Sequence, residues 1–119
     1  MRQISKQTAR AFFKGKPKTL GNTHTDGHTL WLHGNAIAWK ATNDRLAVTL
    51  AGWPTPTTRE RVNAVLDTFG FKYYIQQVDH KQYLTNFEDK KTGVINKNQV
   101  YTFQRVGDKW PIAKEVEKC

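Results

Sequence analysis

This sequence predicts an α+β domain: an antiparallel β-meander packed on one face by a central amphipathic helix, with a short basic helix at the N-terminus. Three observations predict it. The turn pairs Asp26-Gly27 and Gly34-Asn35 punctuate apolar alternation between residues 22 and 50. Val62, Val65, Leu66 and Phe69 recur at the spacing of one helical face. Beyond residue 70, aromatic and β-branched residues gather in short runs that favour strands.

The elements follow in order. Residues 5–14 carry Ala9, Ala11, Phe12 and Phe13 with basic groups between them, and Ile4 just ahead. Ser5 is expected to cap this short amphipathic helix and Gly15 to close it. Lys16-Pro17-Lys18 reads as an extended connector. With Asp26-Gly27 as a two-residue hairpin turn, Thr25 pairs with His28. With Gly34-Asn35 as another, Leu32 faces Ile37 and Leu30 faces Trp39. Thr42-Asn43-Asp44 makes a third connection, so strands at 22–25, 28–33, 36–40 and 46–50 form a four-strand meander.

That register places Leu30, Leu32, Ile37 and Trp39 on one face, joined by Leu46, Val48 and Leu50. Trp31, His33, Ala36 and Ala38 fall on the other. One apolar face suits a sheet covered on one side. The covering helix is expected to start at a capping box, Thr57 as N-cap with Glu60 three residues on, and to stop at Gly70. Strands are expected at 71–78, 82–87 and 99–106, linked by His80-Lys81 and by the polar stretch 88–93. The tail after Pro111 is charged and reads as a short helix or a frayed end. The expected organisation is a single domain over 1–119, with the basic helix and connector in 1–20, the core in 21–110 and the tail in 111–119. A chain of this length buries roughly two-thirds of its unfolded surface, enough for one core without staples.

Composition narrows the setting. Cys119 is the single cysteine, so a disulfide framework is excluded and a reducing, cytoplasmic location is expected. No apolar run approaches the roughly 18 residues of a membrane span, and no apolar stretch follows the first charges as in a secretory signal. No membrane association is expected. The formal net charge is +9. Arg2, Lys6, Arg10, Lys14, Lys16 and Lys18 all precede the first acid, Asp26. A balance of this kind points to a polyanionic partner.

One set of strings has a family likeness. Gly21-Asn22-Thr23-His24-Thr25-Asp26-Gly27, then Leu30-Trp31-Leu32-His33-Gly34-Asn35-Ala36-Ile37-Ala38, then Leu50-Ala51-Gly52-Trp53, then Thr57-Thr58-Arg59-Glu60-Arg61-Val62-Asn63 resembles a group of small bacteriophage-encoded proteins of unknown function. The likeness covers about a third of the chain and implies a setting, the cytoplasm of an infected bacterium, rather than an activity. Most of these positions are turns and a helix cap, so the signature reads as architectural.

The candidate chemistries weigh unevenly. His24-Thr25-Asp26-Gly27-His28 would offer metal ligands on a single strand, but the hairpin turn sends His24 and His28 to opposite faces, and no metal is expected. Ser5 and Cys119 have no base suggested beside them, so nucleophilic catalysis is set aside. The acid pairs Glu88-Asp89 and Glu115/Glu117 read as solvated charge. Gly15-Lys16-Pro17-Lys18 lacks the upstream glycine and the hydroxyl of a P-loop. No catalytic residue and no cofactor are expected.

Nucleic-acid contact has more behind it. Arg2, Lys6, Arg10 and Lys14 stand at steps of four along one helix side, and Lys16 and Lys18 extend the row. Later runs interleave aromatics with cations, notably Lys72-Tyr73-Tyr74, Lys81-Gln82-Tyr83, residues 97–101 and Phe103-Gln104-Arg105. The residues expected on phosphates are Arg2, Lys6, Arg10, Lys14, Lys16, Lys18, Lys72 and Arg105. Trp53, in the stiff Gly52-Trp53-Pro54-Thr55-Pro56 loop, reads first as a core plug and second as an anchor for a partner. The expected function is a small basic binding protein that contacts DNA or RNA non-specifically. The alternative is an interaction module that binds or inhibits an acidic host protein.

Overall fold

The computed structural model describes residues 2–42, 45–104 and 116–118. In chain order these form α1 (Gln3–Lys14), β1 (Lys18–Leu20), β2 (Thr23–Thr25), β3 (Thr29–Leu32), β4 (Asn35–Thr42), β5 (Arg45–Val48), α2 (Pro56–Thr68), β6 (Tyr73–Val78), β7 (Lys81–Asn86), β8 (Thr92–Ile95), β9 (Tyr101–Gln104) and β10 (Val116–Lys118). A seven-stranded antiparallel sheet runs β1-β2-β3-β4-β5-β9-β10, and a three-stranded one runs β6-β7-β8. The class is α+β, as expected, with the meander β2 to β5 at the centre of the larger sheet.

Helix α1 buries Ser5, Thr8, Ala9 and Phe12, one stripe at helical spacing. Gly15 closes it in the left-handed region (φ 73°), where the missing Cβ removes the steric penalty. Its start differs from expectation. The cap position is Arg2, which makes no side-chain cap bond, while Ser5 sits inside the helix and turns into the core. A buried arginine recruits that hydroxyl, as described below. Lys18, expected in a connector, begins the edge strand β1 and pairs with Thr25.

Both expected turns shift. In place of a two-residue Asp26-Gly27 turn, residues 26–29 bridge the strands and Thr25 pairs with Leu30, not His28. Asp26 Oδ1 accepts from the N–H groups of His28 (2.8 Å) and Thr29 (2.9 Å), so a side chain holds the loop where a ladder would otherwise continue. The second turn is His33-Gly34, not Gly34-Asn35: Leu32 pairs with Asn35, and both central residues are left-handed (φ 50° and 80°).

A bulge then reassigns the faces. Leu30 pairs with Ala38 while Trp31 pairs with Ala36, leaving Ile37 as the extra residue. Ile37 and Ala38 are both buried, and Trp39 is only half-buried. Ala38 therefore takes the core place opposite Leu30 that was expected of Trp39.

Helix α2 is capped by Thr55, whose hydroxyl accepts from the Thr58 N–H (3.2 Å), rather than by Thr57. Pro56 suits the first helical position because its fixed φ matches and its missing N–H is not needed there. At the other end Phe71 N–H bonds Leu66 O and Gly70 N–H bonds Asp67 O, both at 2.9 Å, a paired closure around Gly70 (φ 76°). The expected stripe of Val62, Val65, Leu66 and Phe69 is fully buried.

The helices lie side by side on one face of the large sheet. Phe12 and Phe13 of α1 meet Phe69 at ring-centroid distances of 5.5 and 4.9 Å. The small sheet joins through Phe71 and Tyr73, each about 5 Å from Phe103 of β9. Asn63 ties α2 to β6 from both sides, accepting from Ile75 N–H (2.7 Å) and donating to Ile75 O (3.0 Å).

Strand β8 falls where a polar link was expected to run on to Gly93, and the expected strand 99–106 is described as β9 only to Gln104. Residues 116–118 form a strand against β9, not a short helix or frayed end. Arg105 and residues 111–115 lie outside the described residues.

Candidate nucleic-acid interface

The cationic row sits on a helix fixed to the body at both ends. Near its start, Ser5 Oγ donates to Glu60 Oε1 (2.7 Å) and accepts from Arg61 Nη1 (2.6 Å). Arg61 is 1% exposed; it also donates to Glu60 Oε1 (2.9 Å), to Thr23 Oγ1 (2.9 Å) through Nε, and to Asn22 Oδ1 (3.4 Å). One guanidinium fork thus joins α2, α1 and the β1–β2 turn. Burial pushes the Arg61 pKa down, against the pull of Glu60. Burial also opposes charge on Glu60, but the Ser5 hydrogen bond and the Arg61 and Arg2 charges outweigh it, holding the carboxyl below its usual range.

The far end is held by Lys40. Its ammonium donates to Phe12 O (2.8 Å) and Gly27 O (3.0 Å) and lies 5.2 Å from the Phe12 ring centroid. A cation on the last carbonyls of a helix complements its dipole. Desolvation lowers the Lys40 pKa. The 26–29 loop seats directly on the helix end: a Cβ at Gly27 would lie 2.4 Å from the Gly15 carbonyl carbon. The backbones meet there with no room for a side chain.

On this frame Arg2, Lys6, Arg10, Lys14 and Lys16 are exposed and Lys18 is half-buried. Among the described residues no ion pair reaches Lys6, Arg10, Lys14 or Lys16. Lys72 is exposed but paired with Glu88, at the start of the small sheet rather than on α1. Arg105 lies outside the described residues.

Trp53 is not a core plug. It is 58% exposed, held out by the left-handed pair Ala51 and Gly52 (φ 55° and 83°) and by a bond from Gly52 N–H to Lys97 O (2.8 Å). It stands over a cavity of about 490 Å³ floored by Leu32, Ile37 and Leu50, with His33, Asn35 and Thr57 among its polar lining. Sequence reasoning missed this cavity because two left-handed residues and the bulge at Ile37 create it, and neither is written in local propensity.

The histidines separate. His24 stacks on Trp31 (5.3 Å) and pairs with Thr19 Oγ1 (2.6 Å), while His28 sits in the 26–29 loop. Among the described residues no group of three or more His, Cys, Asp or Glu could hold a metal ion.

Much of the sequence signature is now legible as framework: Asn22 and Thr23 on Arg61, Asp26 and Gly27 in the seated loop, Arg59 donating to Pro54 O (3.0 Å), Asn63 on β6. No described helix is long and apolar enough to cross a membrane. Fold and surface together define a small α+β protein with a cationic outer helix braced on an antiparallel sheet. The family model for the Kyanoviridae Gp96 protein matches residues 1–109, and the chain belongs to that family of phage proteins. No curated protein and no solved structure matches it.

Proposed function

We propose that this phage protein is a basic binding protein that contacts nucleic acid through its phosphates, without reading sequence, in the cytoplasm of the infected cell. One observation carries the reading: Lys6, Arg10 and Lys14 stand exposed on a helix braced at both ends, with exposed Arg2 and Lys16 flanking it. Cations held in a fixed row displace counterions from a polyanion, and the release supplies affinity that depends on salt rather than sequence. The test is fluorescence anisotropy on labelled duplex and single-stranded oligonucleotides between about 50 and 200 mM salt. Affinity is expected to fall steeply with salt, and the Lys14→Glu/Lys16→Glu variant to weaken binding equally for unrelated sequences. Its log–log salt slope should drop by about one for each phosphate that is no longer neutralised. Absence of binding to either oligonucleotide at low salt defeats the reading.

A second reading, an interaction module for a host protein, has the exposure of Trp53 in its favour. A tagged pull-down from bacterial lysate with and without nuclease separates the two. A discrete protein retained after nuclease, with no nucleic acid recovered before it, favours the module.

A further inference from the structure

Resting on the nucleic-acid reading, we propose that the cavity under Trp53 is a base site that receives an unpaired nucleobase of a single strand. Its walls and its surroundings differ in a way that suits a nucleotide. Leu32, Ile37 and Leu50 give an apolar floor, and Trp53 brings an indole that is 58% exposed at the rim. At about 490 Å³ the cavity falls within the roughly 300–1,000 Å³ of small-ligand sites. The polar groups are an amide, an imidazole and hydroxyls: Asn35, His33, Thr55, Thr57 and Thr58. An amide supplies both donors and acceptors, which is what the edge of a base requires.

The neighbouring surface supplies the charge. Trp53 lines this cavity, and the next residue, Pro54, lines a shallower cleft of about 320 Å³ that includes Lys81 and Lys97. Both lysines are exposed. Among the described residues no carboxylate lines either cavity. A ring-accepting pocket and two cations therefore flank one rigid two-residue ridge, the pairing of stacking face and phosphate contact that single strands use. A greasy peptide side chain would fill the floor equally well, but it has no use for the flanking lysines.

The site is also set rather than floppy. Gly52 is locked by Lys97 O, and a Cβ there would meet Asn98 Oδ1 at 2.9 Å. His33 Nε2 accepts from Asn22 Nδ2 (3.4 Å), and Asn22 in turn accepts from Arg61, so the pocket wall shares the bracing of α1.

The experiment compares wild type, Trp53→Ala, Trp53→Phe and Lys81→Glu/Lys97→Glu on a single-stranded homopolymer oligonucleotide and on a blunt duplex at one fixed salt. Trp53→Ala is expected to lose about tenfold in single-strand affinity, since the stacking of a base on the indole is removed. It should leave duplex affinity and the salt slope unchanged, and Trp53→Phe should recover most of the loss. Lys81→Glu/Lys97→Glu should weaken the single strand more than the duplex. Because Trp53 is exposed, circular dichroism and melting of Trp53→Ala should match wild type. If Trp53→Ala binds the single strand as well as wild type does, while Lys14→Glu/Lys16→Glu weakens it, the base site is overturned and the phosphate reading stands. If wild type binds neither oligonucleotide, both fall. Trp53-dependent retention of a nuclease-resistant protein, without oligonucleotide binding, would assign the pocket to a protein partner instead and overturn the base site.

Discussion

Gly27 and Gly34 share a left-handed backbone, φ 95° and 80°, but not a neighbourhood. A Cβ on Gly34 meets nothing within 4 Å, whereas one on Gly27 would penetrate the Gly15 backbone. Gly34→Ala is expected to cost only the conformational term, about 1 kcal/mol. Gly27→Ala adds an unrelievable clash and should cost at least about 3 kcal/mol. Urea midpoints of the two variants decide the matter; equal losses would show that the loop is not seated as described. Arg61 sets the other residue-scale case. Truncating it leaves the buried Ser5 and Thr23 hydroxyls, and the partly exposed Glu60 carboxylate, without their shared donor, and Arg61→Ala should lose about 1–3 kcal/mol. The same network fixes a pH dependence. A carboxyl whose pKa is lowered on folding contributes stability above its unfolded value and loses it as pH falls through the folded one. Glu60 is lowered, so its contribution should fade below its ordinary value of 4.5. Ser5→Ala removes a cause of that lowering, and its acid-unfolding limb should begin at higher pH than that of wild type.

At the scale of elements, Lys40 acts on α1 from β4. Lys40→Met takes the ammonium from both carbonyls; Phe12 O keeps the Gly15 N–H (3.2 Å), so the loss falls on the buried Gly27 O, about 1–3 kcal/mol when left unsatisfied. Amide exchange in the last turn of α1 should accelerate while that of β3 and β5 holds; uniform acceleration would refute a local clamp. Elements specified by local signals were legible beforehand. The meander, α1 and α2 announced themselves through turn residues, Gly15 and Gly70, and the stripe from Val62 to Phe69. Registers were not, because Asp26 and Thr25 side chains stretched one loop and a bulge at Ile37 slid the next. Hairpin turns built from left-handed non-glycine residues, His33 in one and Asp79 with His80 in another, carry no strong sequence mark. The pairing of β5 with β9 escapes any local reading, since Leu46 and Phe103 meet only after α2 and the small sheet have been placed between them. Of the interface, exposure of the cations on α1 could be read from spacing. The pocket could not, because Trp53 at a strand end looks the same in sequence whether buried or bare.

For the whole molecule, the division of labour is between a sheet that makes shape and a helix that shows charge. Net charge of +9 on a chain of this size favours long-range attraction to any polyanion, and a braced helix turns that attraction into a definite face. The shared anchoring of α1 by Arg61 at one end and Lys40 at the other has a kinetic consequence. A segment that must fold as it docks shows a slow, concentration-independent phase, whereas a preformed surface captures its partner at a rate set by collision. Stopped-flow mixing should therefore give a single phase whose rate rises linearly with oligonucleotide concentration and drops as ions are added. A plateau at high concentration would mean that the helix swings after all.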